Sequence, residues 1–323
     1  MDGDDLALFE RSVRDATGRA TGADLDAALV DLGWDDALAD DERSAVSLLF
    51  GLQGEAGATS SALSRVMTRA LGQPDGSAAG VPVVLPVVGG CVPPGTVDGD
   101  RLRVDGLSVA GLADRTSVLV VASTGSVGAA AHTVATDSLE LVPVVGLDPD
   151  LGILRVTGHV DGTGPRVDLP PGAWDAAVAL GRRAVAHELV GCARAMLGLA
   201  CVHARGRVQF GRPIASFQAV RHRLAETLVA IAMAEAMLDA AWLDPGPGTS
   251  AMAKAMAGRQ AKTAARHCQQ VLAGIGFTVE HPFHRYVRRT LVLDALLGTA
   301  ASLTMSLGSE LIELRQLPPL LPL

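Results

Sequence analysis

Apolar positions recur at helical spacing up to about residue 75, alternate with polar ones between residues 81 and 169, and return to helical spacing from Trp174 onward. The first region predicts amphipathic helices over 5–16, 24–32 and 62–71. Asp40-Asp-Glu-Arg supplies a cap and an acidic first turn for another helix beginning near Asp41. Gly54, Gly57 and the Ser60-Ser61 pair predict a soft break between the last two. In the second region, short β-branched runs at 81–88, 101–105, 117–122, 139–145, 155–160 and 166–169 alternate with Gly/Asp/Pro turns, predicting about six or more strands in a small antiparallel sheet or barrel. In the third, long helices are predicted over 176–203, 217–242, 250–273 and 283–314, the last with a kink at Gly298. Short breaks between long helices predict an antiparallel four-helix bundle. The tail from Leu317 holds three prolines and cannot continue a helix.

The turn clusters Gln73-Pro-Asp-Gly-Ser77 and Pro170-Pro-Gly-Ala173 divide the chain. The expected fold is α+β: an N-terminal helical domain over 1–76, a middle β domain over 77–171, and a C-terminal four-helix bundle over 172–323. With 49% hydrophobic and 19% charged residues the chain is globular, and with only 3% aromatics its core must be built from Ala, Leu, Val and Gly. The net charge is −8 and no basic run is interleaved with aromatics, so nucleic acid is excluded as an expected partner. The acidic start Met1-Asp-Gly-Asp-Asp5 is not a signal peptide, and the most apolar stretch, Val81 to Pro94, is too interrupted to span a bilayer. A cytoplasmic protein without membrane association is expected. Cys91, Cys192, Cys201 and Cys268 form no Cys-x-x-Cys pair, and buried free thiols are expected.

The stretch Arg207-Val-Gln-Phe-Gly-Arg-Pro-Ile-Ala-Ser-Phe-Gln218 concentrates unlike chemistries at a break between two predicted helices. Backbone amides, charge and aromatic faces can converge on a ligand there. A plain helix–helix turn with solvated arginines fits the same residues.

Arg207, Phe210, Gly211, Ile214, Phe217 and Gln218 fall on a pattern of the FAD-dependent acyl-CoA dehydrogenases, Arg-x-x-Phe-Gly-x-x-Ile-x-x-Phe-Gln. Gln270-Val-Leu-Ala-Gly-Ile-Gly-Phe-Thr-Val-Glu-His-Pro282 falls on a second, Gln-x-x-Gly-Gly-x-Gly-Phe-x-x-Glu-x-Pro, departing only at Ala273. The chain thus resembles that family, strongly over 174–310 and weakly over 1–170. The resemblance implies that these bundle motifs contact the FAD of a neighbouring subunit. Arg207 would then face the pyrophosphate, with Gln209 and Phe210 beside it and Gln218 closing the motif. Gln270 would hydrogen-bond the adenine side, while Gly274 and Gly276 let backbone approach the dinucleotide. Arg212 fits a ligand or a surface charge equally.

The departures carry as much information. The family removes a substrate α-proton with a glutamate while hydride passes to FAD. Its two usual base positions correspond here to Leu297 and Gly181, so no catalytic residue is expected in this chain. His187 and Glu188 lie about two turns beyond Gly181, and Glu188 is expected in a surface ion pair; Glu310 and Glu313 have no reason to face a flavin. The segment around Leu85–Pro94, which would hold the isoalloxazine, has no hydroxyl, and no Trp occurs in 81–173. The pattern resembles the degenerate β-type subunit of actinobacterial α2β2 acyl-CoA dehydrogenases that act on steroid side-chain CoA thioesters. The implied partner is a paralogous catalytic subunit holding the acyl-CoA, with FAD shared between the two. The alternatives are a self-sufficient homotetramer whose base has moved, to Glu188 for example, and a flavin-free scaffold with the same fold.

Overall fold

The computed structural model describes residues 3–72, 81–109, 111–112, 115–124, 128–161 and 165–315. Both the turn cluster at 73–77 and the tail from 317 lie outside the described residues. Five helices come first: α1 (Gly3–Arg19), α2 (Ala23–Asp31), α3 (Trp34–Asp40), α4 (Glu42–Ala56) and α5 (Ala62–Ala70). The expected cap is present, the Asp41 carboxylate accepting from the Ser44 amide at 3.0 Å. The expected break begins at Gly57 rather than Gly54. Gly54 stays helical because another backbone passes over it: a Cβ there would lie 2.2 Å from the Glu188 carbonyl oxygen. α3 is an addition to the expected elements. It is short and acidic, yet its Trp34 is fully buried and donates from Nε1 to the Ala45 carbonyl at 3.2 Å.

The middle region is a seven-stranded sheet of β1 (Gly95–Asp98), β2 (Arg101–Ser108), β3 (Ser117–Thr124), β4 (Gly128–Ala135), β5 (Glu140–Pro143), β6 (Leu154–Asp161) and β7 (Arg166–Asp168), in the order β5-β6-β2-β1-β3-β4-β7. Three features correct the expectation. The sheet is mixed, because β1 runs parallel to β3 while its other pairings are antiparallel. Residues 81–87 run extended beside the sheet and pair with it through single bridges at Val83 and Leu85 rather than as a strand. Pro82 and Pro86 lack the amide that a ladder needs. β4, Gly-Ala-Ala-Ala-His-Thr-Val-Ala, has weak strand propensity and is held by pairing with β3 along its whole length.

The C-terminal region contains α6 (Ala173–Gly206), a two-stranded hairpin of β8 (Val208–Gln209) and β9 (Arg212–Pro213), α7 (Gln218–Leu243), α8 (Pro247–Leu272), α9 (Phe283–Ala295) and α10 (Ala300–Leu314). The last expected helix is two helices. Leu296–Thr299 separates them, with φ of 57° at Leu297 and 100° at Gly298, so the expected kink is a full break. α6 is the central element, packing against α4, α5, α7, α8 and α9. α6 and the stretch Phe283–Leu314 are long and apolar enough to cross a membrane by length and composition. α6 nevertheless buries Arg182, Arg183 and Glu188 inside the fold. Of the thiols, Cys192 and Cys268 are buried as expected, whereas Cys201 is half-buried and Cys91 exposed. Burial pushes the Cys268 thiol up to about 12 and raises that of Cys192 as well.

Candidate functional site

The stretch after α6 folds into a tight hairpin. Arg207 caps α6, its amide donating to the His203 carbonyl at 2.8 Å, and its own carbonyl accepts from the Ile214 amide at 2.8 Å. Between β8 and β9 the turn residues Phe210 and Gly211 both have positive φ, 53° and 79°, the signature of a two-residue hairpin turn that favours Asn-Gly. Phenylalanine pays a steric cost there, and its ring projects into solvent with 91% exposure. Phe217 meets that ring edge-on at 6.0 Å, and the Arg212 guanidinium stacks over Phe217 at 4.3 Å. Arg212 is thus tied down by a cation–π contact rather than simply solvated.

The second motif arrives at the same place. α8 ends at Leu272, and Ala273 continues at φ 52°, ψ −133°, a conformation open mainly to glycine. The substitution at this motif position therefore leaves a glycine-like backbone in place. A 3-10 turn over Ala273–Phe277 follows. At Gly276 a Cβ would lie 2.5 Å from Gln269 Nε2, so a larger residue there would displace the Gln269 side chain. Gly274 faces open space, so no atom of this chain requires glycine there.

A cleft of about 480 Å³ separates the hairpin from the end of α8. It brings together Gln209 and Phe210 from the first motif with Gln270 from the second. Arg207, Gln218 and Gly274 are exposed but lie outside its lining. The lining also includes Phe217 and Arg223, neither of which was singled out from sequence as a site residue. The signal for Arg223 was helical spacing, since it lies one turn after Ala219 on the cleft-facing side of α7.

The two usual base positions also meet. Gly181 on α6 and Leu297 in the α9–α10 break face each other, and a Cβ on Gly181 would sit 2.8 Å from Leu297 Cδ1 and 3.0 Å from Met67 Sδ. Leu297 is 2% exposed and Met67 fully buried, so apolar side chains fill the space between the two positions. Two buried basic side chains hold the break. Arg182 donates from Nε to the Leu297 carbonyl at 3.0 Å, and Lys254 donates to the carbonyls of Asp294 and Gly298 at 3.0 Å each. Burial lowers the Lys254 ammonium to about 7, and a neutral amine retains enough protons for both carbonyls.

Glu188 corrects the expectation of a surface ion pair. It is 3% exposed, accepts from Gln53 Nε2 at 3.1 Å, and lies 3.5 Å from Arg289. Burial raises its carboxyl to about 7, against the pull of Arg289. Arg289 also donates to Asp148 at 3.0 Å, to Thr59 at 2.7 Å and to the Ala58 carbonyl. The network therefore joins the N-terminal helices, the loop before β6 and the bundle. His187 accepts from Trp242 Nε1 at 2.9 Å, and burial holds it down at about 3, so its imidazole is neutral.

Residues 174–312 match the family described as acyl-CoA dehydrogenase, C-terminal domain. Among curated proteins, the acyl-CoA dehydrogenase IpdE2 of Mycobacterium tuberculosis is 37% identical over 171 residues, which cover 53% of this chain and 52% of that protein. The chain thus spans about half the length of this curated relative. Among solved structures, the Tcur3481-Tcur3483 steroid ACAD superposes with a TM-score of 0.79 at 22% identity, covering 97% of this chain and 99% of that one. The ChsE4-ChsE5 complex from Mycobacterium tuberculosis gives 0.75 at 23% identity, covering 99% of each chain.

Proposed function

Since residues 174–312 belong to the acyl-CoA dehydrogenase family and the whole chain has its fold, we propose that the protein is a subunit of a heteromeric, FAD-dependent acyl-CoA dehydrogenase. It lacks a catalytic base of its own and completes the flavin site of a paralogous partner. The observation that carries this reading is the contact between Gly181 and Leu297. Both usual base positions are adjacent, neither side chain takes a proton, and Leu297 and Met67 occupy the space between them.

FAD, when bound, supplies the hydride acceptor for α,β-desaturation of a CoA thioester. The residues on the cleft fit one end of that dinucleotide. Phe210 and Phe217 offer aromatic faces, and Gln209 and Gln270 offer amides that donate and accept. Arg207, fixed at the hairpin base, supplies a guanidinium for phosphate oxygens. Gln218 stands at the start of α7 beside this hairpin, and Gly274 leaves room for close approach of backbone. The segment at 85–94 offers no side-chain hydroxyl for a flavin ring, so the ring is assigned to the partner. This chain's share of the chemistry is to bind and orient the cofactor, while proton removal falls to the partner's glutamate.

The fold relatives include the Tcur3481-Tcur3483 steroid ACAD and the ChsE4-ChsE5 complex, which supports a pairing of two related chains. The proposed assembly is a cytoplasmic α2β2 heterotetramer, and the proposed substrate is a steroid side-chain CoA thioester held by the partner. Glu188 is a poor choice for a relocated base, because it is 3% exposed and does not line the cleft. Purified without a partner, the chain is expected to leave acyl-CoA unoxidised. Leu297→Glu is expected not to restore turnover, since a carboxylate there meets Met67 and has no flavin ring opposite. Flavin-dependent oxidation of an acyl-CoA by the lone wild-type chain overturns this reading.

A further inference from the structure

Arg223 lines the cleft from α7, outside both sequence motifs, and three hydrogen bonds fix how it is held. Its guanidinium NH1 lies 3.2 Å from His267 Nε2 on α8. An arginine can only donate, so Nε2 accepts and the imidazole proton is on Nδ1. Nδ1 lies 3.2 Å from Thr227 Oγ1, and that hydroxyl donates to the Arg223 carbonyl at 2.8 Å. Guanidinium to imidazole, imidazole to hydroxyl, and hydroxyl to the arginine's own backbone form a closed relay with a single consistent proton arrangement. Thr227 is fully buried and His267 is 7% exposed, so the relay is packed in place rather than adventitious. The other partner of Arg223, Glu226 at 3.4 Å, is more than half exposed, and such a pair does little to neutralise the guanidinium.

A cation aimed from a buried relay into a cleft that already holds two aromatic faces and two amides suits a planar heterocycle joined to phosphate. We propose that Arg223, positioned by His267, is a further ligand for the phosphate of the adenosine end of the shared FAD. The inference rests on the heteromeric reading above. It makes cofactor binding depend on a neutral His267. Arg223 and Glu226 on α7 and Arg266 on α8 are the charged groups facing the imidazole, and burial together with the two arginines keeps it below its usual range. Acidification that protonates His267 removes the acceptor and sets an imidazolium against Arg223.

The test uses the complex formed by coexpression with the paralogous chain, stripped of flavin and titrated with FAD at a series of pH values downward from pH 7.5. Arg223→Gln is expected to weaken FAD binding about tenfold and to flatten its salt dependence. His267→Ala is expected to weaken it about threefold and to abolish the loss of affinity on acidification. His267→Gln, whose amide oxygen can accept from Arg223, is expected to recover the affinity without the pH dependence. Arg207→Ala serves as the reference. If Arg207→Ala weakens FAD binding and Arg223→Gln does not, the role of Arg223 is overturned while the heteromeric reading stands. If neither change matters, or if the wild-type complex holds no FAD, both fall. If Arg223→Gln breaks the flavin-free complex apart, Arg223 is an interface residue and the proposal fails.

Discussion

Phe210, Ala273 and Leu297 share a backbone setting that L residues avoid, with φ of 53°, 52° and 57°. Each lies at a motif or base position, and among the described residues only Arg315, at the end of α10, joins them. Strain of this kind costs about 1–3 kcal/mol per residue and persists where the surroundings dictate it. At Phe210 the cost is separable from the function. Phe210→Asn suits the turn better and is expected to stabilise the chain by up to about 1 kcal/mol in urea unfolding, while lowering the flavin retained by the complex. A loss of stability with unchanged flavin would assign the ring a packing role instead. Glu188 gives a prediction with a definite sign. Its folded pKa of about 7 lies above the ordinary 4.5, so the folded state binds the extra proton between those values. Its contribution to stability is complete below about pH 4.5 and is lost as pH rises through about 7. Glu188→Gln removes that dependence. Relative to wild type, the variant is expected to gain roughly 3 kcal/mol between pH 4.5 and pH 8, read from unfolding curves at several pH values.

Element by element, legibility tracked local signals. α4, with its Asp41 cap, and α6, with its apolar face, were readable from residue spacing because the reasons for them are local. β4 was not, because an alanine-rich strand exists only through its pairing with β3. Nor was the extent of the break between α9 and α10. A single glycine signalled a kink there, and the Arg182 and Lys254 side chains that hold the open carbonyls come from two other helices. The crossing of α4 on α6 depends on glycine at both surfaces, and a Cβ on Gly191 would lie 2.1 Å from the Gly51 carbonyl oxygen. Gly191→Ala must push the helices apart, and a loss of about 3 kcal/mol is expected in thermal or urea unfolding. Retention of wild-type stability would show that the two helices can separate freely.

Across the whole molecule, Gln209, Phe210 and Gln270 come from motifs far apart in sequence and share the wall of one cleft, whereas Arg207, Gln218 and Gly274 lie outside its lining. Arg223 and His267 escaped notice because their pairing crosses two helices. α7 presents Leu228, Val229 and Met233 to solvent opposite its buried face, and Phe277 and Val279 are exposed beyond the end of α8. Such exposed apolar surface fits a chain that another chain covers. The central claim is therefore best tested by counting flavin. The protein should be purified alone and after coexpression with the paralogous chain, and FAD measured per polypeptide by absorbance after denaturation. The account predicts little or no flavin on the lone chain and one FAD per pair in the complex. A lone chain that retains one FAD per polypeptide, or a complex with two per pair, would contradict it.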